Sequence, residues 1–173
     1  MNLAFVIAEK RGQTDKLLSE FAEHCADKGV ITAGVVQTNT ECTDSNLCDM
    51  DVRVLPDGSV FRISQSLGKE ARGCRLDPEV LEHAVAEAQA KMSDETQLLI
   101  VNKFGKHEAG GRGFRDVIGH AVANDIPVLI GVNQLNRDAF LEFVGGSADH
   151  LESTVDALDK WFRSSRKNRQ NAA

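Results

Sequence analysis

The 173-residue sequence contains no long apolar run, so no segment is expected to cross a membrane as a helix. Its first apolar run, residues 3–8, is too short for the core of a signal peptide, and no basic segment precedes it. A short, continuous apolar run of this kind is typical of a buried parallel strand. The sequence therefore predicts a strand at residues 3–8.

Motifs of paired metal or disulfide ligands are also missing. The four cysteines form no Cys-x-x-Cys pair, and the five histidines show no His-x-x-x-His or Cys–His spacing of a zinc site. This argues against a disulfide scaffold, and the sequence predicts neither a metal nor another cofactor. A reducing cytoplasm is the predicted location.

An excess of positive charge is absent too, because the formal net charge is −6. This charge argues against non-specific binding to nucleic acid or to an anionic membrane. Apolar residues at 42% and charged residues at 27% are typical of a globular protein. We predict one domain over residues 1–163 and a polar, disordered tail over residues 164–173.

Short apolar runs alternate with longer segments of helical period along the chain. The predicted strands are residues 3–8, 32–38, 51–55, 60–64, 98–101 and 127–132, and the predicted helices are residues 14–28, 77–92, 113–124 and 151–163. Turn residues 56–59 (Pro-Asp-Gly-Ser) indicate a β-hairpin. The order predicts a three-layer α/β/α fold, with a mostly parallel sheet and the hairpin as an inserted element.

The loop after the first strand lies where a phosphate-binding loop is expected. A working loop reads Gly-x-x-x-x-Gly-Lys-Ser/Thr, and here Gly12 is its one remaining glycine while the Lys-Ser/Thr pair is missing. The amides of Arg11, Gly12 and Thr14 can still bind an anion at a helix start. The alternative is an ordinary turn with Thr14 as helix N-cap.

A glycine-rich basic loop over residues 102–115 follows the most apolar strand. Its four cations are Lys103, Lys106, Arg112 and Arg115. Guanidinium groups suit oxyanions because they donate two hydrogen bonds in a fixed geometry. We predict an anion site here, and the alternative is a solvated surface loop.

The intervening loop, residues 65–77, offers Arg72 and Arg75 as further anion donors. Two thiolates from Cys48 and Cys74 could hold a soft metal, but a buried, apolar role for these cysteines is favoured.

His107 and Glu108 are adjacent in the basic loop. Such neighbours are more often a solvated pair than an acid/base couple, so we predict a solvated pair at this position.

Residues 98–132 resemble thermophile-type P-loop nucleoside-triphosphatases, in which a hydrophobic strand ends in Asp-Glu-x-Gly-x-x-Glu. A closer resemblance, over nearly the whole chain, is to a bacterial domain-of-unknown-function family. The shared motifs are Cys-Asp-Met-Asp (48–51), Ile-Ser-Gln-x-Leu-Gly (63–68), Ala-Arg-Gly-Cys-Arg-Leu-Asp-Pro (71–78) and Asn-Lys-Phe-Gly-Lys-x-Glu (102–108). Members are similar in fold to these enzymes and are often encoded near molybdate-uptake genes, which implies a link to molybdate handling.

The sequence departs from the active enzymes at the second motif. Asn102 and Lys103 stand where the resemblance implies the acidic pair that holds Mg²⁺ and activates water. We therefore predict a degenerate protein of P-loop type that binds a small oxyanion or phosphorylated small molecule without Mg²⁺-dependent hydrolysis. One alternative is a nucleoside-triphosphate phosphohydrolase with Glu108 as base. Another is a non-catalytic partner of a transporter or cofactor-assembly protein. The partner expected besides the small ligand is a second copy of the chain or a transporter-associated protein.

Overall fold

A computed structural model describes residues 2–41, 48–65 and 75–172. The strands are β1 (Leu3–Val6), β2 (Thr32–Glu41), β3 (Cys48–Val54), β4 (Val60–Arg62), β5 (Leu98–Phe104), β6 (Val128–Val132) and β7 (Asp149–His150). The helices are α1 (Gln13–Asp27), α2 (Pro78–Lys91), α3 (Lys106–Ala109), α4 (Arg115–Ala123), α5 (Arg137–Phe143) and α6 (Val155–Ala172). None of the helices in these residues has the length and hydropathy needed to cross a membrane.

The strands form one seven-stranded sheet in the order β4-β3-β2-β5-β6-β1-β7. The strands from β2 to β7 in this order pair in parallel, whereas β3 pairs antiparallel with both β2 and β4. The predicted mostly parallel sheet with an inserted hairpin is confirmed. The hairpin strand β3 begins earlier than predicted, because the sequence at its start lacks the apolar alternation that marks a strand.

Helices cover both faces of the sheet, as expected for parallel strands that bury both of their faces. Along β1, Leu3 and Phe5 point into the core that α2, α4 and α5 share, whereas Ala4 and Val6 point into the core under α1 and α6. This is the predicted three-layer α/β/α arrangement.

Two predicted helix boundaries are confirmed, the end of α1 and the start of α2. Gly29, with a φ of 67°, follows the last turn of α1 and donates its amide to the carbonyl of Ala26 at 2.9 Å. The Asp77 carboxylate caps α2 by accepting the amides of Glu79 and Val80, and Pro78 begins the helix.

The last helix differs from the prediction. It continues to Ala172, so residues 164–172, predicted as a disordered tail, are helical. Ser165 is buried, and the Arg166 guanidinium lies 5.8 Å from the ring centre of Phe162, one turn earlier. A helix whose apolar face is already packed extends readily into a polar segment that also contains Arg, Lys, Gln and Ala, which have good helix propensity, and composition alone does not reveal this.

Candidate functional site

The carboxyl ends of β1, β6 and β5 meet at one edge of the sheet, where α1 begins. Ligands of open α/β sheets bind in the crevice at this edge. Gly131 in β6 allows a close approach, because a Cβ atom there would lie 2.9 Å from Thr14 Cγ2 and 3.5 Å from Asn102 Oδ1. The first turn of α1 is therefore adjacent to the end of β5.

A buried ion pair joins that first turn to β5. The Asp15 carboxylate is buried, with 4% of its surface exposed, and lies in the first turn of α1. Lys103 Nζ lies 3.1 Å from one of its oxygens and 3.3 Å from the other. About a third of the Lys103 side chain remains exposed.

Three amide side chains complete a network around Asp15. Asn39 Nδ2 donates to one carboxylate oxygen at 2.5 Å. The side-chain amide of Asn102 is oriented so that both its nitrogen and its oxygen make hydrogen bonds. The nitrogen donates to the other carboxylate oxygen at 2.9 Å, and the oxygen accepts the backbone amide of Gln37 at 3.0 Å. The Gln37 side chain in turn donates to Asn39 Oδ1 at 2.7 Å. These contacts connect β2, β5 and α1.

Mg²⁺ does not fit these residues. It needs anionic oxygens with free lone pairs, and it usually takes one or two carboxylates together with substrate phosphates. The Asp15 carboxylate has its oxygens occupied by Lys103, Asn102 and Asn39, and the end of β5 contributes a neutral amide and a cation. Within the described residues, no group of three or more His, Cys, Asp or Glu side chains could hold a metal ion.

The loop between β1 and α1 presents backbone donors. Gly12, with a φ of 78°, is the N-cap of α1, so the alternative that Thr14 is the N-cap is wrong. Thr14 Oγ1 instead accepts the amide of Ala8 at 3.1 Å, across the loop. In the described chain, the amides of Arg11, Gly12 and Thr14 have no hydrogen-bond acceptor. We call these three amides together with Lys103 Nζ the strand-end cradle.

The other cations predicted for the anion site lie elsewhere or outside the described residues. The Arg115 guanidinium stacks 4.3 Å from the ring centre of Phe143 and donates to the Glu108 carbonyl. Arg75 pairs with Asp49 on the hairpin at 3.4 Å. Of the predicted set, Lys103 alone is described in contact with the first turn of α1.

The two remaining described cations of the basic loop are exposed. Lys106 begins α3, and Arg112 lines a shallow groove that also contains the carboxylates of Glu79, Glu82 and Asp116. That groove carries more negative than positive charge, so it is a poor anion site. Arg72 and Cys74 lie outside the described residues, as does the side chain of Cys48.

Glu108 is buried, and its carboxylate stabilises the basic loop. One oxygen accepts the amide of Gly105 at 2.9 Å, and the other accepts the amide of Phe114 at 3.4 Å. Burial raises the pKa of Glu108, although these amides and His107 oppose the rise. Both oxygens are engaged by the backbone, which makes Glu108 unsuitable as a solvent-facing base.

The interpretation of His107 and Glu108 as a solvated pair is wrong, because both side chains are buried. His107 Nε2 instead lies 2.7 Å from Glu82 Oε1, which also accepts the amide of Gly113 at 3.0 Å. Partial burial raises the pKa of Glu82, but the hydrogen bonds from His107 and Gly113 outweigh it, so the pKa lies below its usual range. The pair attaches the basic loop to α2.

A pH titration tests the position of Glu108. A raised pKa in the folded state means that its contribution to stability is present at low pH and is lost as the pH rises through that pKa. The free energy of unfolding of the wild type, minus that of Glu108→Gln, should therefore fall as the pH rises from the ordinary pKa of a glutamate through the raised one. Urea unfolding across this range measures the difference.

Glu87 provides the control with the opposite sign. Its carboxylate accepts the amide of Ser59 at 2.8 Å, and this bond lowers its pKa. The free energy of unfolding of the wild type, minus that of Glu87→Gln, should therefore rise with pH. A difference for Glu108→Gln that stays constant or rises would contradict its raised pKa.

Sequence reasoning identified Lys103 and Gly12 but missed the network. Asp15, Gln37 and Asn39 were not among the predicted site residues. The spacing of Gln37 and Asn39 was the available signal, because residues two apart near the carboxyl end of a strand share one face. Polar side chains at such positions in an otherwise apolar strand indicate a site at that edge.

Two solved structures share this fold. The solution structure of a human cancer-related nucleoside triphosphatase aligns with 99% of this chain and 98% of its own, with a TM-score of 0.63 and 15% identity. The crystal structure of THEP1 from the hyperthermophile Aquifex aeolicus aligns with 93% of this chain and 95% of its own, with a TM-score of 0.57 and 15% identity. The predicted fold of P-loop nucleoside-triphosphatase type is confirmed.

One curated relative is the molybdenum import ATP-binding protein ModC 2 of Bradyrhizobium diazoefficiens, which is 32% identical over 163 residues. The alignment covers 93% of this chain but 18% of the relative, so the chain spans less than a fifth of that protein. Residues 3–161 match a family described as protein of unknown function (DUF2478). The match covers the fold from β1 into α6, and the chain belongs to this family.

Proposed function

We propose that the strand-end cradle binds a small oxyanion or a phosphorylated small molecule without Mg²⁺-dependent hydrolysis. The observation that carries this proposal is the position of Lys103. Its ammonium group is anchored on the buried Asp15 beside the first turn of α1, where the amides of Arg11, Gly12 and Thr14 have no acceptor among the described residues. Backbone donors at a helix start, together with a cation, are the usual elements of an anion site.

The chemistry at the end of β5 supports binding without hydrolysis. Phosphoryl transfer in this fold class relies on a metal ion and on a residue that positions the attacking water. Asn102 and Lys103 supply neither, and Glu108 is engaged by backbone amides. Lys103 can neutralise an anion directly, so the ligand needs no metal bridge.

The named relative supports a ligand or a partner in molybdate handling. It is a molybdenum import ATP-binding protein, and the matched segment is a minor part of a much longer chain. We therefore propose molybdate as the first oxyanion to test. Among the predicted cations, we propose Lys103 as central, with Lys106, Arg112, Arg115, Arg75 and Arg72 contributing less.

Isothermal titration calorimetry with molybdate, tungstate, phosphate, ATP and GTP tests the proposal. At least one oxyanion should bind the wild type, with an affinity that EDTA or added Mg²⁺ leaves unchanged. Lys103→Ala should weaken binding about tenfold or more, which corresponds to the loss of one good charge-assisted contact of about 1.4 kcal/mol. The single variants Lys106→Ala and Arg112→Ala should weaken it by less than about threefold.

A lysine outside the site serves as the control. Lys91 pairs with Asp57 at 3.0 Å on the hairpin side of the sheet, so Lys91→Ala should leave the affinity unchanged. The absence of any heat of binding with all five ligands would contradict the proposal. Release of phosphate from ATP or GTP that requires Mg²⁺ would contradict its non-hydrolytic part.

A second candidate function is that of a non-catalytic partner in a transporter. The observation that favours it is that the molybdenum import ATP-binding protein carries a segment 32% identical to this chain within a much longer sequence. Co-elution of the purified chain with the ATP-binding subunit of a molybdate importer in size-exclusion chromatography would support this candidate. Separate elution at micromolar concentrations, which are far above the dissociation constant of a typical specific complex, would contradict this candidate.

A further inference from the structure

We propose that the basic end of α6 docks in the acidic groove of a second copy of this chain. The basic end is the part of α6 from residue 160 to residue 172, and the acidic groove is the groove between α2 and α4 that contains Glu79, Glu82 and Asp116. This contact does not involve the strand-end cradle, so it goes beyond the proposed function and can fail without affecting it.

The charge of the chain is distributed unevenly along its length. Residues 160–173 contain five Lys or Arg residues and no Asp or Glu. Since the whole chain carries a net charge of −6, residues 1–159 carry −11. A charge asymmetry of this size indicates a basic segment that binds an acidic partner.

The basic end continues beyond the packed part of α6. Leu158, Trp161 and Phe162 hold the preceding turns in the core under α1. After Phe162, Ser165 is the one side chain described as buried. The exposed side chains described in the basic end are those of Lys160, Arg163, Ser164, Arg166 and Lys167. The helix therefore presents a polar surface to solvent rather than to its own fold.

Three of these cations lie along one face of the helix. Lys160, Arg163 and Lys167 are spaced by three and four residues, and such neighbours lie about 5–6 Å apart on a helix. Arg163 pairs with Asp159 at 2.7 Å, whereas Lys160 and Lys167 form no ion pair with the described residues. This row of cations is therefore available to a partner.

The stability of the helix does not account for the row. Cations near the carboxyl end of a helix interact favourably with its dipole, but this effect is confined to the last turn. Lys160 and Arg163 lie more than two turns before the end of α6 at Ala172. Their charge therefore serves a purpose other than capping the helix.

The acidic groove provides the complementary charge. Glu79 and Asp116 are exposed and form no ion pair with the described residues, whereas Glu82 accepts hydrogen bonds from His107 and Gly113. The helices α2 and α4 cover the face of the sheet opposite to α6. Because the sheet lies between the two surfaces, the basic end cannot reach the groove of its own chain, and the contact joins two copies.

A second copy fits the basic end better than a nucleic acid or an anionic membrane. The phosphates of a nucleic acid extend past the basic end and would face the acidic rest of the chain, whereas the acidic groove is local. A helix in a membrane interface needs an apolar face. After Phe162, α6 has no apolar residue except Ala172.

The contact joins two different surfaces, so it is heterologous. It leaves a free groove on one copy and a free basic end on the other, and further copies can add in a ring or an open chain. Association should therefore increase with protein concentration and weaken with salt.

Sedimentation velocity of the wild type at several protein concentrations tests this association. Raising the salt from about 0.1 M to about 1 M shortens the Debye length from about 10 Å to about 3 Å. Species larger than the monomer should form at the lower salt concentration and dissociate at the higher one. A wild type that stays monomeric at both, or larger species that persist at the higher salt concentration, would overturn the proposal.

Two neutralising variants separate the two surfaces. Lys160→Gln/Lys167→Gln changes the basic end, and Glu79→Gln/Asp116→Asn changes the groove. These four side chains form no ion pairs with the described residues, so the substitutions leave the fold intact. Each variant alone should associate about tenfold more weakly than the wild type. An equimolar mixture should form dimers and nothing larger, because one intact basic end and one intact groove remain in each pair.

The control Lys16→Gln/Lys91→Gln changes the net charge by the same amount at two lysines outside both surfaces. These lysines pair with Glu20 and Asp57, and the control should associate like the wild type. Equal weakening in the control, or a mixture of the two surface variants that associates no better than either alone, would overturn the assigned contact.

Titrations with duplex DNA and with vesicles of phosphatidylserine and phosphatidylcholine test the other occupants. Neither should bind the wild type more tightly than the chain binds itself. Tighter binding of either that is lost in Lys160→Gln/Lys167→Gln would overturn the choice of a second copy as the partner.

Discussion

Replacing Gly34 with alanine is expected to prevent the chain from folding. Gly34 lies in β2 with a φ of 100°, opposite Ile100 of the adjacent parallel strand β5. A Cβ atom at this position would lie 1.9 Å from the Ile100 carbonyl oxygen and 2.9 Å from its carbonyl carbon. The obstacle is backbone in the middle of the sheet, which cannot move without breaking the pairing of β2 with β5. The cost should exceed about 4 kcal/mol, a large share of the total stability of a domain this size.

Soluble yield and thermal unfolding by circular dichroism measure this effect, with Gly29→Ala as the matched control. Gly29 also has a positive φ, of 67°, but a Cβ atom there meets no other atom within 4 Å. Its replacement therefore costs only the left-handed backbone strain, about 1–2 kcal/mol. If the two variants unfolded at the same temperature, the close contact with Ile100 would not be the cause of the lost stability of Gly34→Ala.

Breaking the Asp15–Lys103 pair is expected to have the second largest effect. Lys103→Met leaves the Asp15 carboxylate buried, with amide hydrogen bonds but without its counter-charge. Removing one partner of a buried pair costs several kcal/mol, and the partial exposure of Lys103 reduces this to about 2–4 kcal/mol. Urea unfolding at neutral pH measures the loss.

A double-mutant cycle with Asp15→Asn separates the interaction energy of the pair from the effects that each substitution has on its other neighbours. The coupling between the two substitutions should exceed about 1 kcal/mol. The pair of Lys91 and Asp57 has nearly the same length, 3.0 Å against 3.1 Å, but its aspartate is 82% exposed. Lys91→Met should therefore cost far less than Lys103→Met. Equal costs for the two lysine variants would mean that burial of Asp15 does not strengthen the interaction.

The elements with strong local signals were predicted from the sequence. Leu98–Phe104 and Val128–Val132 are apolar along almost their whole length, and this pattern indicates strands buried on both faces. Asp77 and Pro78 mark a helix start by local chemistry, and their prediction is confirmed. Helix α5 and strand β7 were missed, because α5 is short and β7 has two exposed residues, so neither carries a periodic pattern.

The candidate site was likewise predicted only where a local motif marks it. Local motifs pointed to Gly12 and Lys103 because the loop after β1 and the residues at the end of β5 can be compared with the motifs of the enzymes that the sequence resembles. The same reasoning grouped Lys103 with Arg112 and Arg115 because they are neighbours in the chain. In the structure Arg115 lies against Phe143 and Arg112 faces an acidic groove. Nearness along a loop does not determine the direction in which its side chains point.

The sequence by itself determined the order of the longer strands and helices, the three-layer architecture and the absence of acidic side chains at residues 102 and 103, because these depend on residue type and local period. Only the tertiary structure decided which residue Lys103 contacts. Its partner, Asp15, is 88 residues away in the chain, and the two meet because β1, β6 and β5 are neighbours in the sheet. A contact over such a separation depends on strand order and register, which no local pattern contains.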